Sequence, residues 1–165
     1  SANHLRAIID ALSAVAEKHD CPVIVSTHPR TQKQLSELGL GLSESGPLRF
    51  LKPLGFHDYN KLQLLSLCAI SDSGTISEEA SLLRFPAITI RNALERPEAL
   101  DTGSIIISGL DREVVVAAVD HAIREFAAGY TPPVPKDYLI ENTSQRVVRF
   151  ILGTAKLNAR WHGLD

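Results

Sequence analysis

The chain has no methionine, a single tryptophan and only two cysteines. Cys21 and Cys68 lie in or beside apolar runs without spaced histidine or cysteine partners, so they read as buried free thiols rather than a disulfide or a zinc site. A surplus of one charge is also lacking: 17 Lys and Arg stand against 19 Asp and Glu, and no polybasic stretch occurs. That balance argues against nucleic acid or a membrane surface as a partner. No apolar run approaches the roughly 18 residues of a membrane span, and no signal peptide heads the sequence, so a cytoplasmic location is expected. There is no Walker sequence, no Gly-x-Gly-x-x-Gly and no Cys/His/Asp arrangement of known spacing. Internal repeats and low-complexity segments are absent too. Because it lacks methionine and opens inside a helical pattern, the sequence is expected to be a piece of a longer protein, with part of any active site elsewhere.

What remains is an ordinary globular composition, 44% hydrophobic and 22% charged over 165 residues, enough for one domain with a real core. Leu5, Ile8, Ile9, Leu12, Val15 and Ala16 recur at helical spacing, and a β-branched strand follows from Pro22 to Thr27. A polar helix is expected over Thr31 to Leu38, then a loop from Gly39 to Pro47 and a strand over Leu48 to Leu51. The segment from Asp58 to Leu67, with Leu62, Leu65 and Ser66 as its apolar positions, is expected to be a helix capped by Asp58. Leu67 to Ile70, Ala87 to Ile90 and Ser104 to Ile107 read as buried strands of a parallel sheet covered on both faces. Asp111 can cap a helix with the stripe Val114, Val115, Ala118, Val119, Ala122, Ile123 and Phe126, closed by Gly129. An extended Pro-rich link from Thr131 to Pro135 precedes a last helix, about Thr143 to Ala159, with Val147, Val148, Ile151 and Leu152 inward. The alternation predicts an α/β, doubly wound domain of about five parallel strands, which binds ligands at the strands' carboxyl ends.

One junction carries the most chemistry. Ser71-Asp72-Ser73-Gly74-Thr75-Ile76-Ser77-Glu78-Glu79-Ala80 runs from a strand through a small-residue turn directly into a helix. Ser73, Gly74 and Thr75 then occupy the first turn, where unpaired N–H groups and the positive helix end attract an anion. The same residue types are also ordinary helix caps. Glu78 and Glu79 follow one turn later and face about 100° apart, so one is expected to cap or meet solvent while the other turns toward the cleft and a ribose diol. At the same sheet edge lies Arg91-Asn92-Ala93-Leu94-Glu95-Arg96-Pro97-Glu98-Ala99, in which an arginine fork can hold phosphate and which also reads as a solvated loop. The two loops converge only if their strands are neighbours. His28-Pro29-Arg30 follows another strand and is either part of the same rim or a plain turn. Phe56-His57-Asp58-Tyr59 either meets a nucleobase or packs a helix start.

Together, Asp72 to Ala80, Phe85-Pro86 before a strand, Arg91 and Glu95-Arg96-Pro97-Glu98-Ala99 closely resemble the carboxyl-terminal half of the non-hydrolysing UDP-N-acetylglucosamine 2-epimerases, over roughly Pro22 to Asp111. The tail, with Asn142-Thr143-Ser144 and Phe150 to Lys156, is more similar to the branch that forms UDP-N-acetyl-L-fucosamine for surface polysaccharides. The resemblance implies the second, Rossmann-like domain of a GT-B type enzyme. Residues 1–165 would be one UDP-binding domain, 131–165 its linker and carboxyl-terminal helix, and the amino-terminal catalytic domain would be missing. It further implies that Ser73, Gly74 and Thr75 meet the diphosphate, that Glu79 holds the ribose hydroxyls, that Arg96 stabilises the leaving phosphate and that the backbone near Tyr59 reads uracil. Many relatives carry a second glycine where Thr75 stands, which makes the role of Thr75 the less direct one. No metal and no redox cofactor are implied. The partners implied are a UDP-sugar and the missing domain, with a second copy of the chain a further candidate. The family's acid/base carboxylates and histidine would lie outside this chain, leaving it inactive alone. Two other readings share these residues: the donor-binding domain of a GT-B glycosyltransferase, and a non-catalytic nucleotide-sugar-binding domain.

Overall fold

The computed structural model describes residues 2–41, 43, 45–93, 96–163. Leu94 and Glu95, part of the charge-dense loop singled out above, lie outside the described residues. The chain divides into two compact units between Val134 and Pro135.

In the first unit helices and strands alternate: α1 (Ala2–His19), β1 (Val23–Ser26), α2 (Pro29–Glu37), β2 (Leu48–Leu51), α3 (Phe56–Leu65), β3 (Ala69–Ser71), α4 (Ile76–Leu83), β4 (Ala87–Thr89), α5 (Pro97–Asp101), β5 (Ile106–Ile107) and α6 (Arg112–Ala127). All named strand pairs are parallel. Their ladders form a two-stranded sheet, β1-β2, and a three-stranded sheet in the order β3-β4-β5. In the three-stranded sheet, Ala69 stands opposite Ala87 and Ile88 opposite Ile106, so β4 is the central strand. Ala87, Ile88 and Thr89 are accordingly all buried. Such a strand must be apolar or small on both faces, which is why it reads as a continuous run rather than an alternating one.

Ile88 anchors the main core. It is enclosed by Ala11 and Val15 of α1 and by Val115, Ala118, Val119 and Ala122 of α6, with Val23 of β1 and Ile70 of β3 packed against the same cluster. The α6 residues follow the i, i+3, i+4, i+7 set of a helix face. A separate cluster of Leu5, Leu35 and Phe50 lies over the β1-β2 ladder. Asp111 caps α6 as expected, its Oδ1 accepting from the Glu113 and Val114 N–H groups at 3.0 Å each. Gly129 follows that helix with φ +82, and its N–H donates to the Phe126 carbonyl.

Several expectations are corrected. Asp58 is not a cap: α3 begins after Gly55, and Asp58 lies inside the first turn. That helix buries Gln63 and leaves Leu65 73% exposed, with Ser66 exposed beyond it. The strand expected from Leu67 starts only at Ala69, because Ser66 closes α3 by donating its N–H to the Gln63 carbonyl. Val114 is 47% exposed, since it stands about 100° round the helix from Val115. Phe126, in the last turn, borders a hollow of about 50 Å³ with Phe85 and Tyr130 rather than the core. Cys21 and Cys68 are free but only partly buried as whole residues.

The second unit contains a 3₁₀ turn (Lys136–Leu139), α7 (Thr143–Thr154) and α8 (Asn158–Trp161). The single long helix expected to Ala159 is therefore broken after Thr154. Val147, Val148, Ile151 and Leu152 were expected inward but are 50–77% exposed.

Candidate functional site

The carboxyl ends of β3 and β4 deliver the two loops that the sequence marked. Ser71 ends β3, and its Oγ accepts the Ser73 N–H at 3.0 Å. Ser73 Oγ in turn accepts the Thr75 N–H at 3.4 Å and lies 3.0 Å from Thr75 Oγ1. These short side chains hold the turn in shape locally, as serine and threonine do in tight turns. Thr75 precedes α4, and the first intrahelical bond there runs from the Glu79 N–H to the Thr75 carbonyl at 2.9 Å. The N–H groups of Ile76, Ser77 and Glu78 thus have no carbonyl within the helix to receive them, and the positive end of the helix lies at the turn. Asp72, Ser73 and Thr75 are exposed and Gly74 is half-buried, so the turn faces solvent.

Arg96 closes the turn from the other loop. Its Nε donates to the Gly74 carbonyl at 3.0 Å, and its Nη1 lies 2.6 Å from Glu78 Oε1. This contact spans 22 residues of sequence, and it forms because β3 and β4 are hydrogen-bonded neighbours. A guanidinium carries five N–H donors in a planar fork, so two can be tied to the protein while others face a ligand. Between the loops is a cavity of about 20 Å³, lined by Ser73, Gly74, Ser77, Thr89, Arg91 and Arg96 among others. Thr89, one of the lining residues, keeps its Oγ1 buried without a hydrogen-bond partner.

The opposite side of the turn is built by α3. Tyr59 and Gln63 stand four residues apart on that helix, which puts them on one face. Gln63 Nε2 donates to Glu79 Oε2 at 2.7 Å. Burial pushes the Tyr59 phenol above its usual range, and the Glu79 and Asp72 carboxylates push it further the same way. Tyr59, Gln63, Asp72 and Glu79 therefore share one electrostatic neighbourhood.

The two adjacent glutamates divide the work differently from the expectation. Neither is left to solvent or capping alone: Glu78 turns to Arg96 and Glu79 to Gln63. Gln63 and the pairing role of Glu78 were missed from the sequence, although the four-residue spacing from Tyr59 to Gln63 was there to be seen. Two weaker candidates make local contacts. His28 caps α2, its Nδ1 accepting the Arg30 N–H at 3.2 Å, with the Arg30 side chain exposed. His57 packs edge-on against Phe56 at 5.5 Å, and Phe56 is 77% exposed.

The arrangement is one that can hold an anion against a helix start, with an arginine on one flank and, on the other, a carboxylate that Gln63 engages at one oxygen and that retains acceptor sites for hydroxyl hydrogen bonds. Comparison with known proteins gives it a context. Residues 1–152 match the family model of UDP-N-acetylglucosamine 2-epimerase. The UDP-N-acetylglucosamine 2-epimerase of Methanocaldococcus jannaschii is 33% identical over 118 residues, 70% of this chain and 32% of that protein. The UDP-2,3-diacetamido-2,3-dideoxy-D-glucuronate 2-epimerase of Pseudomonas aeruginosa is 29% identical over 112 residues, 68% of this chain and 30% of that protein. Among solved structures, the Methanocaldococcus jannaschii UDP-GlcNAc 2-epimerase in complex with UDP-GlcNAc and UDP superposes with a TM-score of 0.79 at 28% identity, over 92% of this chain and 41% of that one. With parallel strands and covering helices in place, this likeness shows the Rossmann-like α/β class expected from the sequence. The chain spans about a third of the length of the relatives it matches. On the strength of a family match that covers nearly the whole sequence, the chain belongs to the UDP-N-acetylglucosamine 2-epimerase family.

Proposed function

We propose that this chain is the carboxyl-terminal, UDP-binding domain of a UDP-N-acetylhexosamine 2-epimerase that acts in the cytoplasm on precursors of surface polysaccharides. The observation that carries the reading is the junction of Arg96 with Gly74 and Glu78 at the start of α4, beside Glu79. In the reaction, UDP leaves C1 as the C2 proton is removed, giving a glycal. The proton then returns to the other face of C2 as UDP adds back. The slow demand on this domain is to bear the charge that grows on the departing diphosphate. Preorganised N–H donors, a helix end and a fixed guanidinium meet that demand without reorganising in the transition state.

Ser73, Gly74 and Thr75 contact the diphosphate, Arg96 stabilises it as it leaves, Glu79 accepts from the ribose hydroxyls, and the backbone near Tyr59 reads uracil. Glu78 and the Gly74 carbonyl hold Arg96 in place before substrate arrives, which lowers the entropy that binding costs. The acid/base residues that move the C2 proton belong to an amino-terminal domain outside these residues, so the chain alone binds UDP but does not epimerise. UDP is the element common to the family's substrates, and the site described here faces it rather than the sugar.

Calorimetric titration of UDP into the chain tests the site. Arg96→Ala is expected to weaken binding about 10- to 100-fold, the range for losing charge-assisted hydrogen bonds. Unchanged affinity in that variant would remove Arg96 from the site. Incorporation of solvent deuterium at C2 of a recovered UDP-sugar by the chain alone would overturn the division of labour.

A further inference from the structure

We propose that Gln63 is a positioning residue that sets Glu79 for the ribose; the inference rests on the UDP reading above and names a residue that the family resemblance did not. Gln63 is the residue that α3 buries, at 5% exposure, in a helix that leaves Phe56, Leu64 and Leu65 largely exposed. Burying an amide where a leucine would be ordinary is unfavourable unless a specific bond repays it. The bond present is the donation from Gln63 Nε2 to Glu79 Oε2 at 2.7 Å. The other half of the amide, Oε1, is buried without a partner, so the residue is not there to satisfy itself. Turning the amide round would set two oxygens 2.7 Å apart, which fixes the nitrogen as the donor.

The end of α3 is pinned at the same residue. The Gln63 carbonyl accepts from both the N–H and the Oγ of Ser66, at 3.3 and 2.8 Å. A rigid helix end thus presents a neutral donor to one oxygen of Glu79. Neutrality matters: a lysine or arginine at this place would cancel the carboxylate's charge, whereas an amide occupies one of its acceptor sites and leaves the charge and the other oxygen for two vicinal hydroxyls. Gln63 touches no ligand in this account. It acts through the orientation of Glu79.

The test compares UDP with 2′,3′-dideoxy-UDP, which lacks the hydroxyls Glu79 would hold. In the unaltered chain UDP is expected to bind at least about tenfold more tightly than the dideoxy compound. Gln63→Met keeps the volume and removes the donor. It is expected to weaken UDP about five- to tenfold and leave the dideoxy compound within twofold, with no further loss when added to Glu79→Ala. Gln63→Asn, one methylene short of Glu79, gives a second reading of the same loss. A purely structural tie between α3 and α4 would weaken both ligands alike, and that result, or no loss for UDP, overturns the inference while the UDP reading stands. Equal binding of UDP and the dideoxy compound by the unaltered chain overturns the ribose role of Glu79 and the inference with it.

Discussion

Cys68 shows how far the burial of a side-chain group can differ from that of its residue as a whole. As a residue it is only partly buried, yet it packs against the Ile88 cluster, and burial pushes its thiol from 9.0 up to about 12. The folded state therefore favours the protonated form over a range where the unfolded chain has already lost its proton. Stability from this group is complete below pH 9 and falls as pH rises from 9.0 toward about 12. Thermal melts of the chain and of Cys68→Ala across that window should show a shallower decline for the variant; parallel slopes would place the thiol outside the core. At the same scale, the adjacent glutamates were legible as a pair facing two directions. Their partners were not legible, since neither Arg96 nor Gln63 is near them in sequence.

At the scale of elements, two aspartates that look alike in sequence have different duties. Both precede apolar helical segments. Asp111 accepts two backbone N–H groups at the start of α6, whereas Asp58 lies inside the first turn of α3 with Gly55 in the capping position. Removing a cap costs about 1 kcal/mol, while an acid in the first turn contributes a few tenths through the helix dipole. Asp111→Ala is therefore expected to lower the denaturation free energy by about 1 kcal/mol and Asp58→Ala by less than half of that. Urea titration of the two variants checks the order. Helix existence was readable from periodicity in every long case, but the starting residue of α3 was not. Glycine at a cap leaves no side-chain signature, and an aspartate three residues on supplies a misleading one.

For the whole molecule, the contrast lies between Ile88 and the apolar face of α7. Ile88 is fully buried between two helices and at the centre of its sheet, so Ile88→Ala should cost about 2–5 kcal/mol through lost burial and the cavity left behind. Phe150, equally apolar in sequence, is 69% exposed, and Phe150→Ser should change stability by no more than about 0.5 kcal/mol. Thermal or chemical denaturation of both separates the two roles. Hydropathy could not tell these residues apart, because both recur at helical or strand spacing. What differs is the burial each reaches within its own unit.

Contact distance along the chain marks the boundary of what could be read. The strand, the Ser73-Gly74-Thr75 turn, the start of α4, the cap at Asp111 and the stripe of α6 all follow from residues a few positions apart. Local hydrogen bonding and side-chain periodicity act over that range, and the sequence alone determined them, apart from the start of the strand and the exposed Val114 and Phe126 of the α6 stripe. Arg96 reaches Gly74 across 22 residues, and Gln63 reaches Glu79 across 16. The first depends on β4 lying beside β3, the second on the fold bringing α3 within side-chain reach of α4. No local propensity encodes either arrangement; strand order and core packing bring the groups together, and only the tertiary structure decided that the turn would meet an arginine on one side and a held carboxylate on the other.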